Sequence, residues 1–254
     1  MEVPGGNVAS VKQKRGRRRP SVDLGKERFA WLLRQRGIPF WDEDSLESRI
    51  EIREEKRPDF YAEPEGQRPI LVEVKGLHAI RSRILAVDPV QNLKRLHGPV
   101  GLAAKQLKPY RVLRIPMIVA VDNARRVGVS LAKIDLIHLL GVPEIRVPLN
   151  VTTGAKADRA HLHHGPGQIL SPTERQYISA VAVNLPKRGF EYIEEIEQER
   201  PMRLRVLHNP YADVQLPLSV FSDPEDEHIG LVDGRWVNLR TGQSALWEGS
   251  VRRP

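Results

Sequence analysis

The chain has 254 residues, no cysteine and a hydrophobic fraction of 40%. Its length fits one large domain or two small ones, and its apolar content is sufficient for a packed core. The absence of cysteine excludes a disulfide scaffold, a cysteine nucleophile, a zinc–cysteine site and an iron–sulfur cluster. No apolar run approaches the ~20 residues of a membrane span, and no secretory signal is visible. We therefore expect a cytoplasmic protein without a membrane partner.

The net charge of +8 is unevenly distributed along the chain. Residues 21–74 carry nine basic and thirteen acidic side chains, whereas residues 75–133 carry twelve basic and two acidic ones. A basic segment beside clustered carboxylates favours a polyanionic partner, with nucleic acid as the first candidate. Ordinary surface charge explains the same distribution equally well, so charge alone does not decide.

The first predicted elements are a flexible arm, a helix and two short strands. Residues 1–20 are basic and lack apolar periodicity, which predicts a flexible arm that binds phosphates nonspecifically or only adds solubility. Apolar residues at helical spacing predict a helix from Gly25 to Arg36 within a core that begins at residue 21. Residues 38–41 and 46–52 are predicted to be strands.

A β-hairpin follows. The runs Pro58–Ala62 and Ile70–Lys75 flank a turn at residues 64–67, and the second run is apolar enough to be central in a sheet. A turn centred on Gly66 places Asp59 opposite Glu73, with the Cβ atoms roughly 4.5–5.5 Å apart. Side chains alternate along a strand, so Lys75 shares the face of Glu73.

The remaining elements predict an α/β core up to residue 142 and a C-terminal α+β extension of unknown role over residues 143–254. The breaking pair Gly98-Pro99 separates two predicted helices, and Ser171-Pro172-Thr173-Glu174 has the pattern of a capping box that starts a helix. Residues 144–168 are predicted to be a loop. The elements, in chain order, are helices from Pro89 to about residue 97 and over 100–107, a buried strand over 115–121, a helix over 131–140, a helix over 171–183, a strand over 202–208 and a tight hairpin at 232–235.

Asp59, Glu73 and Lys75 are the candidate catalytic residues. Two carboxylates at hairpin distance repel each other, and a hard divalent cation relieves this repulsion. Mg²⁺ takes oxygen ligands and keeps several waters, as hydrolysis of a phosphodiester requires. Lys75 could orient the attacking water or stabilise the charge that develops on phosphorus. The alternative without catalysis is a surface hairpin with a Glu–Lys ladder. The apolar run before Glu73 makes this alternative less favourable.

Pro58-Asp59 followed by Glu73-Val74-Lys75 resembles the PD-(D/E)xK, or restriction-endonuclease-like, nuclease superfamily. The resemblance implies a core of order α-β-β-β-α-β, a mixed sheet flanked by helices. It also implies an acidic residue on the first helix, matched by Glu27, and a polar residue on the helix after Lys75, for which Gln106 is the nearest match. Asp59, Glu73 and Glu27 would then hold the metal. Ordinary first-turn and surface roles explain Glu27 and Gln106 without any catalysis.

These observations predict a Mg²⁺-dependent nuclease, with Mn²⁺ as a substitute ion and DNA favoured over RNA. A non-catalytic nucleic-acid-binding module or a complex subunit with the same fold is the alternative, and a homodimer stays open. We expect backbone phosphates to meet some of the basic residues that follow the site, Arg81, Arg83, Lys94, Arg95, Lys105, Lys108, Arg111 and Arg114.

Three other groups carry weaker signals. The histidines at 161, 163 and 164 lie in a polar segment without a nearby acid, and His78 follows Lys75 closely enough to meet a phosphate. A loop without function is the more favourable interpretation of both. The acidic residues at 223 and 225–227 lack the regular spacing of calcium ligands and predict a solvated turn.

Overall fold

The computed structural model describes residues 24–51, 56–77, 89–122, 133–141, 143–146, 161–164, 168–187 and 201–245. Side chains are described for all of these except 89–95, 134, 143–146 and 161–164. The predicted basic arm at residues 1–20 and the candidate His78 lie outside the described residues.

Three helices and ten strands are present in the described residues. The helices are α1 (Leu24–Gln35), α2 (Pro89–Leu107) and α3 (Lys133–Ile137). The strands are β1 (Phe40–Asp42), β2 (Phe60–Ala62), β3 (Ile70–Gly76), β4 (Met117–Asp122), β5 (Pro143–Arg146), β6 (His161–His164), β7 (Ala180–Pro186), β8 (Met202–His208), β9 (Glu227–Val232) and β10 (Arg235–Asn238).

Eight of these strands form one mixed sheet in the order β1-β2-β3-β4-β7-β8-β9-β10. The pairs β3–β4, β4–β7 and β8–β9 are parallel, and the other neighbours are antiparallel. Strands β5 and β6 form a separate antiparallel pair. The chain therefore has an α/β fold, and strands from residues 143–254 extend the same sheet as the strands of the predicted core.

The two faces of β3 explain how the helices cover the sheet. Val72 and Val74 belong to the buried cluster that contains Phe29 and Leu33 of α1. Leu71 belongs to a second cluster with the apolar face of α2. Because alternate side chains point to opposite faces of a strand, an apolar run such as that of β3 can bury both faces at once. Among the described helices, none is long and apolar enough to cross a membrane.

The helix predicted after Ser171 is wrong. Ser171 Oγ does accept the backbone N–H of Glu174 at 2.9 Å, but this bond closes an isolated turn, and Arg175 then adopts a φ of 58°. Residues 180–186 form β7, and its first six residues are buried. Because a short side chain can cap a turn as well as a helix, the local signal did not distinguish them, and pairing with β4 and β8 decides the outcome.

Three other predicted elements also differ. A single helix, α2, passes through Pro99, because buried Leu96, Val100 and Ala103 hold both halves against the sheet. The strand predicted over residues 46–52 is a short 3₁₀ helix at Leu46–Ser48. The predicted loop over residues 144–168 contains most of β5 and all of β6.

The C-terminal strand and hairpin predictions are confirmed. Strand β8 covers Met202–His208 as predicted. Asp233 and Gly234 take φ values of 48° and 73° between β9 and β10, the left-handed conformations that a two-residue hairpin turn needs.

His208 and His228 form a buried pair with a predictable effect on stability. Their Nε2 and Nδ1 atoms lie 2.8 Å apart, and His228 Nε2 donates to the Phe221 carbonyl at 2.8 Å. Burial and the neighbouring His228 lower the pKa of His208 from 6.5 to about 3. Between these values the unfolded chain binds a proton that the folded chain does not bind, so this site destabilises the fold as the pH falls below about 6.5.

We expect His208→Gln to weaken this acid dependence. Between pH 7 and pH 5 the free energy of unfolding of the wild type should fall by about 2 kcal/mol more than that of the variant. Urea denaturation at the two pH values measures the difference, in which the contributions of other titrating groups cancel. Equal pH dependence in both proteins would contradict the burial of a neutral His208.

Candidate active site

The predicted register of the hairpin is confirmed. Phe60 pairs with Val72, and Tyr61 pairs with Leu71, so the residue before β2, Asp59, is opposite Glu73. Asp59 is 2% exposed and Glu73 is fully buried. The fold therefore brings two carboxylates together near the carboxyl end of β3.

Within the described part of the chain, Asp59 and Glu73 each have one ion-pair partner. Asp59 Oδ2 accepts the backbone N–H of Val74 at 2.6 Å, and Asp59 Oδ1 forms an ion pair with Lys26. Glu73 Oε1 forms an ion pair with Lys75. Glu73 Oε2 is buried and has no hydrogen-bond partner among the residues that the structure describes, so one carboxylate oxygen of the pair is available to a ligand.

Burial dominates the protonation of both carboxyls. It raises the pKa of Asp59, although the Lys26 ammonium and the Val74 N–H act in the opposite direction. Burial and the charge of Asp59 together raise the pKa of Glu73 to about 7, against the effect of Lys75. Two adjacent carboxyls with raised pKa values are typical of a functional site, since charge here costs free energy that a purely structural pair would avoid.

Lys26 is the site residue that the sequence interpretation missed. It lies in the first turn of α1, where its ammonium contacts Asp59 Oδ1 and lies 3.2 Å from Glu43 Oε2. The lysine loses solvation there, but its bonds to Asp59 and Glu43 raise its pKa above the usual value. A signal was present in the sequence, because a cation in the first turn opposes the helix dipole and needs a specific anionic partner.

Glu27 lies in the first turn of the predicted helix. It lines a cavity of about 520 Å³ together with Asp59, Lys26, Trp31 and Glu43. Among the residues that the structure describes, no three acidic or histidine side chains are grouped closely enough to hold a metal ion. Asp59 and Glu73 are thus the paired carboxylates of the site, and the role of Glu27 as a third metal ligand stays a prediction.

Gln106 contacts the chain that leads into the site. Its Nε2 donates to the Arg57 carbonyl at 2.7 Å, and Tyr110 donates from its hydroxyl to the Lys56 carbonyl at 3.2 Å. Both bonds hold the segment just before Pro58-Asp59 against the end of α2 and the 3₁₀ helix that follows it. Gln106 thus contacts the chain two residues before Asp59, and its role in catalysis stays a prediction.

The acidic cluster near residue 225 is held by basic partners. Asp226 is buried and accepts hydrogen bonds from both terminal nitrogens of Arg36, at 2.5 and 2.8 Å. Lys187 pairs with Asp223 at 2.9 Å, and Arg205 pairs with Glu227 at 2.7 Å. The predicted solvated turn is therefore an ion-paired contact that joins the residue after α1 to the C-terminal strands.

Only some of the other candidate residues have side chains that the structure describes. The backbone of residues 161–164 forms β6, but the histidine side chains are outside the description, as are the side chains of Lys94 and Arg95 and the whole of Arg81 and Arg83. Of the eight basic residues expected to meet phosphates, Lys105, Lys108, Arg111 and Arg114 have described side chains, and all four are exposed.

Comparison with known proteins identifies no relative. No family model, no curated protein and no solved structure matches the chain.

Proposed function

We propose that this chain is a metal-dependent nuclease with a restriction-endonuclease-like core. One observation carries the proposal. Asp59 and Glu73 lie opposite each other in a buried hairpin with Lys75 beside them, and no described residue bonds to Glu73 Oε2. Burying two carboxylates beside each other costs stability, and a divalent cation bound between them would offset this cost.

The element order supports the core. Helix α1, strands β1, β2 and β3, helix α2 and strand β4 follow one another within residues 24–122. This is the α-β-β-β-α-β order that the resemblance implies, and the candidate residues lie on its hairpin and helices. Fold alone does not fix function, so the proposal depends on the site chemistry as well.

The residues present fit a Mg²⁺ or Mn²⁺ ion. Mg²⁺ is commonly held by one or two carboxylates and retains several waters, so Asp59 and Glu73 suffice as protein ligands. When bound, the ion would polarise a phosphoryl oxygen and acidify water. Lys75, with a side chain that is 28% exposed, reaches from Glu73 toward solvent, where it would orient the attacking water or neutralise charge on phosphorus. DNA is the favoured substrate.

Cleavage of DNA tests the proposal. Purified protein is incubated with plasmid and with labelled single-stranded DNA in Mg²⁺ or Mn²⁺. We expect Lys75→Met to cut at least about 100-fold more slowly than the wild type, because it loses charge stabilisation in the transition state. Arg235→Met, at an exposed position on β10, is the matched control and should cut normally. Equal cutting by the wild type and Lys75→Met would contradict the assignment.

Lys26 should compete with the metal. Because its ammonium occupies Asp59 Oδ1, an ion must displace it, and Glu43 is the second partner at 3.2 Å. Lys26→Met is expected to bind Mn²⁺ about tenfold more tightly than the wild type. Calorimetric titration measures the change, and weaker binding by the variant would contradict the competition.

A non-catalytic nucleic-acid-binding module is the second candidate function. The observation that favours it is the pairing of both carboxylates with lysines, which satisfies much of their charge without a metal. This alternative predicts salt-sensitive DNA binding that persists without cleavage and does not change when Mn²⁺ is added.

A further inference from the structure

A row of basic side chains begins at the end of α2. Lys105 lies in the last turn of the helix, and Lys108, Arg111 and Arg114 follow along the 3₁₀ helix Lys108–Leu113 and its C-cap. A 3₁₀ helix has three residues per turn and rises ~2.0 Å per residue, so side chains three apart lie on one line roughly 6 Å apart. This geometry places Lys108 and Arg111 on one line, with Lys105 before them on α2 and Arg114 after them at the C-cap.

The row is exposed and free of counter-ions within the described chain. All four side chains are exposed, and no carboxylate among the described residues lies within ion-pair distance of them. An uncompensated line of cations at a regular spacing can meet successive phosphates of one nucleic-acid strand.

A groove with apolar and aromatic walls lies beside the row. It has a volume of about 560 Å³, and its lining includes Arg111, Arg114, Val112, Tyr177 and Asp213. Val112 is 77% exposed, so its side chain is open to a ligand. The ring of Tyr177 is half-buried and is held in place by a hydrogen bond from its hydroxyl to the Ala104 carbonyl at 3.0 Å.

We propose that this groove binds single-stranded nucleic acid, with backbone phosphates on the basic row and an unpaired base against Tyr177 and Val112. A charged line beside an aromatic wall is the arrangement that binds single strands, whose base faces are free to stack. A duplex would present its phosphates to the row but would keep its bases away from Tyr177. The inference rests on the proposed function, since it assigns a substrate class to the same nuclease.

The groove and the candidate active site lie at opposite ends of β3. Met117, in the groove wall, pairs with Leu71 at the start of β3. Lys75 is four residues further along β3, roughly 13 Å at the usual strand rise. Residues 71–74 of β3 are buried, so a bound strand would follow the surface of the molecule, over more than this distance, to reach Lys75.

Binding without cleavage tests the inference. Fluorescence anisotropy with a labelled twenty-nucleotide oligo(dT) is measured in EDTA over a range of salt concentrations. We expect the double variant Lys108→Gln, Arg111→Gln to bind about tenfold more weakly at low salt, with a salt slope smaller by about 1.4, since each lost single-strand contact removes about 0.7. The matched control is Arg235→Gln, which should bind as the wild type does.

A second pair of variants tests the aromatic wall. Tyr177→Phe keeps the ring and should bind oligo(dT) normally, whereas Tyr177→Leu should bind at least about fivefold more weakly, with an unchanged salt slope, because it loses stacking. A duplex of equal length should show no difference between these two variants. Equal losses for duplex and single strand, or a loss in Arg235→Gln that matches the double variant, would overturn the inference.

The result is separable from the test of nuclease activity. If the wild type binds oligo(dT) through this row but never cleaves it, the proposed nuclease function fails and the groove stands. If the wild type cleaves and the double variant keeps full affinity, the groove fails and the nuclease function stands.

Discussion

Glu73→Gln is expected to stabilise the protein at pH 8 while it abolishes cleavage. In the folded chain the pKa of Glu73 is about 7, raised from 4.5 by burial and by Asp59. Below pH 4.5 Glu73 is protonated in both the folded and the unfolded chain, and the stability that its raised pKa contributes is fully present. This contribution is lost as the pH rises toward 7. Above pH 7 the folded chain contains a buried charge that glutamine would remove.

The gain should be about 2 kcal/mol in the free energy of unfolding at pH 8, less than the full pKa shift implies, because the variant also loses the ion pair with Lys75. At pH 4.5 the gain should be close to zero. Urea denaturation at the two pH values measures both quantities. Glu65→Gln, at an exposed position in the hairpin turn, is the control and should change neither.

A gain in stability together with a loss of cleavage would distinguish a functional residue from a structural one. A buried residue selected for packing loses stability when it is changed, whereas a residue kept for chemistry at the expense of stability gains it. Loss of stability in Glu73→Gln at pH 8 would show that Glu73 is ionised and stabilised by Lys75. That result would contradict the proposed free-energy cost of its buried charge.

Arg28→Met is expected to cost about 3–5 kcal/mol of stability. Arg28 is fully buried and Asp122 is 4% exposed, and they are joined by Nε–Oδ1 and Nη2–Oδ2 hydrogen bonds of 3.2 and 2.7 Å. Removing the arginine takes from the buried Asp122 carboxylate the charge and the two hydrogen bonds that Arg28 supplies. Thermal and urea denaturation measure the loss.

This ion pair also positions the candidate active site. Arg28 lies on α1 two residues after Lys26, and Asp122 ends β4, so their bond attaches the helix to the sheet. We expect the double variant Arg28→Met, Asp122→Leu to recover most of the stability, because no buried charge is left unpaired. Arg34→Met, at an exposed position on the same helix, is the control and should lose less than about 1 kcal/mol. A small loss in Arg28→Met would contradict the anchoring role.

The hairpin and its register could be predicted from the sequence. Side chains alternate strictly in a strand, and the turn at Gly66, where φ is 66°, sets which residues are opposite. A slip of one residue would have moved Val72 and Val74 out of the buried cluster beneath α1, so burial and turn geometry both favour the observed pairing of Asp59 with Glu73. The arrangement of the two carboxylates follows from these local rules.

The contacts that surround this hairpin could not be predicted in the same way. Lys26 reaches Asp59 across 33 positions of sequence, and Arg28 reaches Asp122 across 94. No periodicity encodes such pairs, because they depend on how α1 docks against the sheet. For the same reason, the sequence around Ser171 predicted a helix where pairing with two strands produces β7.

Binding of Mn²⁺ is the decisive experiment, because Asp59 and Glu73 are proposed to be ligands of one ion. Electron paramagnetic resonance titration measures bound Mn²⁺ in the wild type, Asp59→Asn and Glu73→Gln, with Glu65→Gln as the control. We expect the wild type and Glu65→Gln to bind one ion, with affinity at least about tenfold weaker in the other two variants. Equal Mn²⁺ affinity in all four proteins, or no binding by the wild type, would contradict a metal site at these two carboxylates.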